Sequence, residues 1–317
     1  MTKTISVCIP TFNEAANVRH AVEEVERVFA RDLPGYGLEI VVTDNASTDA
    51  TWSVVQSLAA ERPHLKAFRF SRNFGYQNSV FAAIALSSGH AVVELDADLE
   101  DPPAVIPEFV RNWEDGHQVV YGVRTRRCGN PAKLFLFSAF YRLLNRLSDV
   151  HLPENAGDFR LLDRKVADLL AGLPERNLYL RGLTSYLGFS QKPVPYERDP
   201  RRSGPSKFRL LQYFVLAVDA LTAFSKTPLR LIGRVGVLLF LLSAGLSAYY
   251  ILGWFFGGVE VKGFTTLAVL SLGLHSVTFI FLGILGEYLS RIFDDAKHRP
   301  RVVIAEAVNA AGHPDSL

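Results

Sequence analysis

The first two hundred residues alternate between two periodicities. Short apolar runs of strand character occur at Ile5–Ile9, Leu38–Val42, Lys66–Phe70, Ala91–Leu95 and Val119–Gly122. Between the first four, apolar residues recur at helical spacing in Asn17–Phe29, Thr51–Ala60 and Tyr76–Leu86. A strand period interrupted by a helix period predicts an α/β domain, a mostly parallel sheet with helices on its faces.

The pattern changes near residue 205. Val235–Phe256 and Gly263–Gly286, 22 and 24 residues, carry no formal charge. At about 1.5 Å per residue each reaches roughly 33–36 Å, enough to cross a hydrocarbon core of about 30 Å. The short link Gly257–Lys262 makes them an antiparallel hairpin, the alternative being a buried hairpin in a large core. Arg230 and Arg234 precede the pair, and Arg291, Lys297, Arg299 and Arg301 follow it. Positive charge at both ends places the N-terminal domain and both termini in the cytosol. Nothing in Met1–Thr4 resembles a signal peptide. Ser206–Thr227, interrupted by Asp219, reads as one or two interfacial amphipathic helices. The expected organisation is a cytosolic domain over 1–205, interfacial helices over 206–230, two spans within 231–290 and a cytosolic tail over 291–317. A second apolar helical run, Leu134–Leu147, lies in a stretch with six Lys/Arg and no acid. With the basic run Arg198–Arg234 it suggests contact with anionic lipid, against the alternative of a solvated face.

Charge and cysteine count narrow the classes. The 34 Lys+Arg against 32 Asp+Glu leave a net charge of +2, which argues against nucleic-acid binding by bulk charge. Cys8 and Cys128 are too few for a disulfide framework.

Polar, turn-rich motifs follow the first four strand runs: Pro10-Thr11-Phe12-Asn13-Glu14, Asp44-Asn45-Ala46-Ser47-Thr48-Asp49, Ser71-Arg72-Asn73-Phe74-Gly75, and Asp96-Ala97-Asp98-Leu99-Glu100-Asp101-Pro102-Pro103. In a parallel sheet all four fall at the carboxyl edge, where open α/β sheets bind ligands. Each alone could be a capped surface turn, and Ser47 and Asp49 would cap well. An extended Asp-x-Asp projects Asp96 and Asp98 to one side, about 7 Å apart. Two hard carboxylates beside a diphosphate suit Mg²⁺ or Mn²⁺. Glu100 and Asp101 add carboxylates nearby. No Walker-A loop or GxGxxG is present, so a metal-bridged diphosphate replaces the glycine-rich cradle.

Taken together, IPTFNE, DNASTD, SRNFGYQ and DADLEDPP resemble the inverting GT-A glycosyltransferases that include dolichyl-phosphate mannose synthase. The likeness continues through Gly122-Val123-Arg124, Phe140–Asn145, Ala156–Asp163, Pro174–Asn177, Gly204–Phe208 and Gly286-Glu287-Tyr288. With two C-terminal spans, the order is similar to bacterial polyprenyl-phosphate glycosyltransferases, most closely the bactoprenol glucosyltransferase branch. The resemblance implies a GT-A, Rossmann-like domain in which Pro10, Phe12, Glu14, Asp44 and Arg72 hold the donor nucleotide. It places Asp96, Ala97 and Asp98 at the diphosphate and metal, with Glu100 able to reach the metal. Arg124, Arg142 and Lys207 correspond to basic residues near the acceptor phosphate, and Asp158 to an active-site aspartate. Catalysis would rest on Asp158, Asp98 and Arg124. This chain has Glu100 where the family often has Gln, and Asn45-Ala46 where it often has Asp-Gly.

The implied reaction is one in-line displacement on a nucleotide sugar by polyprenyl (undecaprenyl) phosphate, giving a β-linked lipid-phosphate sugar. A lipid monophosphate, with a second pKa of about 6, is already nucleophilic at neutral pH. Arg124, Arg142 and Lys207 would neutralise the acceptor, and a divalent cation the leaving group. The glucosyltransferase branch implies glucose from UDP-glucose, with GDP-mannose and UDP-GlcNAc as alternatives. It also implies a bacterial inner-membrane location, a homotetramer and a flippase acting downstream. A processive synthase would share the donor motifs, but Gln-x-x-Arg-Trp is missing. A membrane-tethered nucleotide-sugar binder without catalysis is the remaining alternative.

Overall fold

The computed structural model describes residues 2–125, 156–175, 179–198, 227–256, 263–310 and 312–317. The apolar run at 134–147, the interfacial segment through residue 226, the turn at 257–262, and Arg142 and Lys207 lie outside them.

One compact unit takes the described residues up to 198 together with those from 298 onward. It begins as the alternating pattern predicts, with β1 (Thr4–Thr11), α1 (Val18–Asp32), β2 (Gly37–Asp44), α2 (Thr51–Glu61), β3 (Leu65–Phe70), α3 (Tyr76–Leu86) and β4 (Ala91–Glu94). It continues through α4 (Ile106–Glu114), β5 (Val119–Arg124), β6 (Ala156–Asp163), α5 (Arg164–Ala171), α6 (Leu180–Tyr186) and β7 (Gln191–Tyr196), and ends with β8 (Ile304–Val308).

The sheet order is β7-β5-β6-β4-β1-β2-β3-β8. β4, β1, β2 and β3 form a parallel core. β6 runs antiparallel between β4 and β5, β7 pairs parallel with β5, and β8 pairs antiparallel with β3. Burial on both faces gives β1 and β2 near-continuous apolar character, as a central parallel strand requires. Val18, Val22, Val25 and Phe29 of α1 recur at helical spacing and pack into the core with Ile5, Val7, Ile40 and Val42. The chain steps from β1 out through β2 and β3, then returns to lay β4 on the other flank of β1. That reversal opens a crevice at the carboxyl ends of β1 and β4.

The second unit includes described residues 227–256 and 263–297. It holds α7 (Thr227–Phe255) and α8 (Phe264–Ala296), longer than the uncharged runs because each takes in flanking charged residues. Among the described residues one helix is long and apolar enough to cross a membrane, Leu270–Ala296, with mean hydropathy 1.5. The apolar stretch in α7, Leu231–Leu246, is shorter, so two spans are not established. The side chains are strongly exposed, Phe240 at 71% and Phe279 at 70%. The expected tail at 291–317 is different in kind: it continues α8 through Ala296 and then supplies an edge strand of the sheet.

Candidate active site

The four motifs meet at one edge because their loops are tied to one another. After β1, Asn13 adopts a left-handed backbone, φ 58°. Its N–H donates to Ser47 Oγ at 2.9 Å and its Oδ1 accepts the Thr48 N–H at 2.8 Å. The Glu14 N–H donates to Thr51 Oγ1 at 2.8 Å, and Glu14 Oε2 accepts from Asn17 at 2.6 Å. Phe12 stands 44% exposed at the rim, while Pro10 is buried in β1. Neither expected cap takes the N-cap position of α2, which falls at Ala50: Asp49, one residue earlier, accepts the Thr51 N–H at 2.9 Å, and Ser47 is spent on Asn13 and Asp44.

Asn45 links the second loop to the third. Its Nδ2 donates to Asn73 Oδ1 at 3.0 Å and its Oδ1 accepts the Phe74 N–H at 2.9 Å. An amide does both at once, which a carboxylate cannot. Asp44 is wholly buried: Oδ1 accepts the Ser47 hydroxyl, and Oδ2 accepts the Ser47 N–H at 3.3 Å and faces Arg69 at 3.5 Å. Burial raises its pKa despite these partners. Arg72 lies with its guanidinium 4.0 Å from the Phe74 ring centre.

After β4 the acidic motif gathers carboxylates at the crevice. Tyr76, first residue of α3, donates its hydroxyl to Asp96 Oδ1 at 2.8 Å. Burial, reinforced by Asp158, Asp98 and Asp101, pushes Asp96 up to about 7 against that hydrogen bond. Ala97 is buried, and Asp98 Oδ1 accepts the Glu100 N–H at 3.1 Å, holding the turn at Leu99 (φ 54°). Glu100 points to Arg198, with which it forms an ion pair, and Arg198 also stands 3.4 Å from Asp101. Among the described residues no three His, Cys, Asp or Glu side chains form a ready-made metal cage, so Asp96, Asp98 and Glu100 are not assembled as a triad.

The antiparallel strands bring arginines to the same place. Arg124, at the end of β5, stands 3.3 Å from Asp101 and donates to Tyr196 Oη at 3.3 Å. Asp158 on β6 takes a two-pronged contact from Arg181, Nε and Nη2 each at 2.6 Å. Arg160, 4% exposed, stands 3.5 Å from both Asp158 Oδ1 and Glu94 Oε2. Burial would raise the Asp158 carboxyl, but Arg181, Arg160 and Arg124 outweigh it and hold it below the usual range. Asp158 is therefore a fixed anion. The sequence pattern alone does not single out Arg160 and Arg181. Their signal, basic residues two positions after Asp158 and early in an unassigned helix, acquires meaning only from the fold.

Residues 6–170 match the model of glycosyl transferase family 2. An uncharacterized glycosyltransferase, YkcC, of Bacillus subtilis is 35% identical over 95% of this chain and 93% of its own. A bactoprenol glucosyl transferase of Shigella phage SfV is 36% identical over 95% and 97% respectively. Among solved structures, a Pyrobaculum calidifontis mannosyltransferase in complex with GDP-Man and Mn²⁺ aligns at 16% identity and TM-score 0.46, covering 93% of this chain and 88% of that one. The chain belongs to glycosyl transferase family 2 and is a glycosyltransferase with a GT-A α/β fold.

Proposed function

We propose that this enzyme transfers glucose from UDP-glucose to a polyprenyl phosphate in one in-line displacement, inverting the anomeric carbon. The observation that carries the reading is the cluster past the end of β4, where Asp96, Asp101 and Asp158 gather with Arg124 and Arg160 of β5 and β6 and Arg181 of α6. Such a site can meet a cation-bound diphosphate on one side and an acceptor anion on the other. The name of the phage relative supports bactoprenol as carrier and glucose as sugar.

A divalent cation fits the donor set. Desolvation first, and then the like charges of Asp158, Asp98 and Asp101, raise the Asp96 carboxyl, and a dication would relieve the second of these. A cation held by Asp96 and Asp98 and completed by diphosphate oxygens and water needs no third protein ligand. Bound there, it would neutralise the departing diphosphate. Glu100, paired with Arg198, acts beside that site. Phe12 offers an exposed ring to the nucleobase, and Asp44 holds the loop beneath it.

The acceptor phosphate, largely dianionic at neutral pH, needs orientation more than deprotonation. Asp158, ionised and clamped by Arg181, is a poor base, so it positions the arginine face. Arg124 orients the acceptor oxygen, and the resemblance assigns Arg142 and Lys207 to the same phosphate. The exposed apolar faces of α7 and α8 support a membrane hairpin at a bacterial inner membrane, with the catalytic unit cytosolic.

Detergent-purified protein offered undecaprenyl phosphate with labelled UDP-glucose, UDP-GlcNAc or GDP-mannose tests this. Label entering the organic phase from UDP-glucose alone, and lost with EDTA, is the expected outcome. Label from another donor changes the sugar, and no lipid label from any donor removes the transferase reading of the acceptor.

A further inference from the structure

The C-terminal segment reaches the donor loops through one cross-strand pair. β8 lies downstream of α8 in sequence, yet belongs to the same compact unit as β1–β4 and extends the sheet beyond β3. Its register sets Glu306 directly opposite Arg69. Glu306 Oε1 stands 3.0 Å from Arg69 Nη1, and Glu306 Oε2 accepts the Trp52 indole N–H at 2.9 Å. Arg69 in turn faces Asp44 at 3.5 Å, and its guanidinium lies 5.9 Å from the Trp52 ring centre. Asn309, with φ 56°, anchors the end of the strand by donating to the carbonyls of Ala59 and Leu65 at 2.6 and 2.9 Å. Upstream, the Ser71 N–H donates to the Val303 carbonyl at 2.9 Å, at the root of the third loop.

Asp44 is a fully buried carboxylate that, among the described residues, is ion-paired with Arg69. A buried charge without a held partner moves or neutralises. The direction in which Arg69 points therefore decides whether Asp44 keeps Ser47, and through Ser47 the first loop, in place.

We propose that Glu306 is a positioning residue of the donor site: by holding Arg69 against Asp44 it fixes the loops that receive the nucleotide, although it touches no substrate. The inference rests on the donor reading above, in that loops one and two bind a nucleotide. Glu306→Gln keeps an acceptor for Trp52 and removes the charge that holds Arg69. Glu306→Asp keeps the charge on a shorter arm.

The full-length protein in detergent would be titrated with UDP and with GDP, and assayed for donor KM and kcat, with a thermal melt as the folding check. Partly exposed ion pairs are weak, so Glu306→Gln is expected to weaken nucleotide binding and raise donor KM about two- to fivefold, leaving kcat unchanged. Glu306→Asp should recover part of that loss at an unchanged melting temperature. Unchanged nucleotide affinity in Glu306→Gln overturns the inference, as does a loss that tracks melting temperature in all variants. Failure of the unsubstituted protein to bind either nucleotide overturns the donor reading, and this inference with it.

Discussion

Two carboxylates, Glu39 buried and Asp96 half-buried, sit at opposite edges of the same sheet, and the chain treats them in opposite ways. Glu39, near the start of β2, is fully provided for. Lys66 Nζ lies 2.6 Å from Oε1, Ser88 gives its N–H and hydroxyl at 2.7 and 2.6 Å, and Ser6 donates to Oε2. Burial alone would raise its pKa, but these partners lower it to about 2. Asp96, just past the end of β4, accepts a hydrogen bond from the Tyr76 hydroxyl and is pushed up to about 7 by desolvation and by Asp158, Asp98 and Asp101. A satisfied carboxylate contributes stability. A cluster of crowded ones is a place made for a charge that arrives with the substrate.

Predictions that would sharpen or break this contrast run from large to small. Asp98→Ala should reduce transfer by about a thousandfold, because it removes a carboxylate at the diphosphate. Initial rates in saturating donor and cation are the check, and a loss below tenfold would place the metal elsewhere. Arg181→Ala should cost about a hundredfold in kcat/KM by removing the two-pronged contact that fixes the half-buried Asp158, and Arg181→Lys should recover only part of it. If lysine restored full activity, the two-pronged geometry would be irrelevant.

At the other end of the sheet, Glu39→Gln should destabilise the protein by about 2 kcal/mol, an order-of-magnitude figure from a depressed carboxylate. The sign is set by the shift: the stabilisation is fully present above the unfolded value near 4.5 and disappears as pH falls towards about 2. Acid unfolding curves of the two proteins should therefore converge at low pH. Smallest is Asn45→Ala, which unties loops two and three and should raise donor KM about fivefold, near the worth of one hydrogen bond, at unchanged kcat.

The parallel core was legible because β1 through β4 and α1 through α3 each carry their own period, and their motifs occupy the one edge that topology makes concave. Asp158 was legible as part of a motif. Arg181 was not, because nothing local distinguishes a guanidinium that reaches an aspartate 23 positions away from one in solvent; Arg160, only two positions from Asp158, acquires its meaning from the pairing that also sets it beside Glu94. β8 was not legible for a similar reason. Five residues after a long helix have no pattern of their own, and their strand character comes from pairing with β3. The role of Asn45 was hidden by a likeness that offered Asp in its place, and it emerged from hydrogen-bond direction.

The contrast between the two carboxylates can be tested in one pair of variants, Asp96→Asn and Glu39→Gln, each measured for thermal stability and for sugar transfer. Because Asp96 titrates higher folded than unfolded, cation-free stability should fall as pH rises between about 4 and 7, and the amide should abolish that fall. The account predicts that at neutral pH without cation Asp96→Asn melts no lower than the unsubstituted protein yet transfers no sugar, while Glu39→Gln melts lower and transfers normally. A destabilised but active Asp96→Asn, or an inactive and fully stable Glu39→Gln, would contradict it.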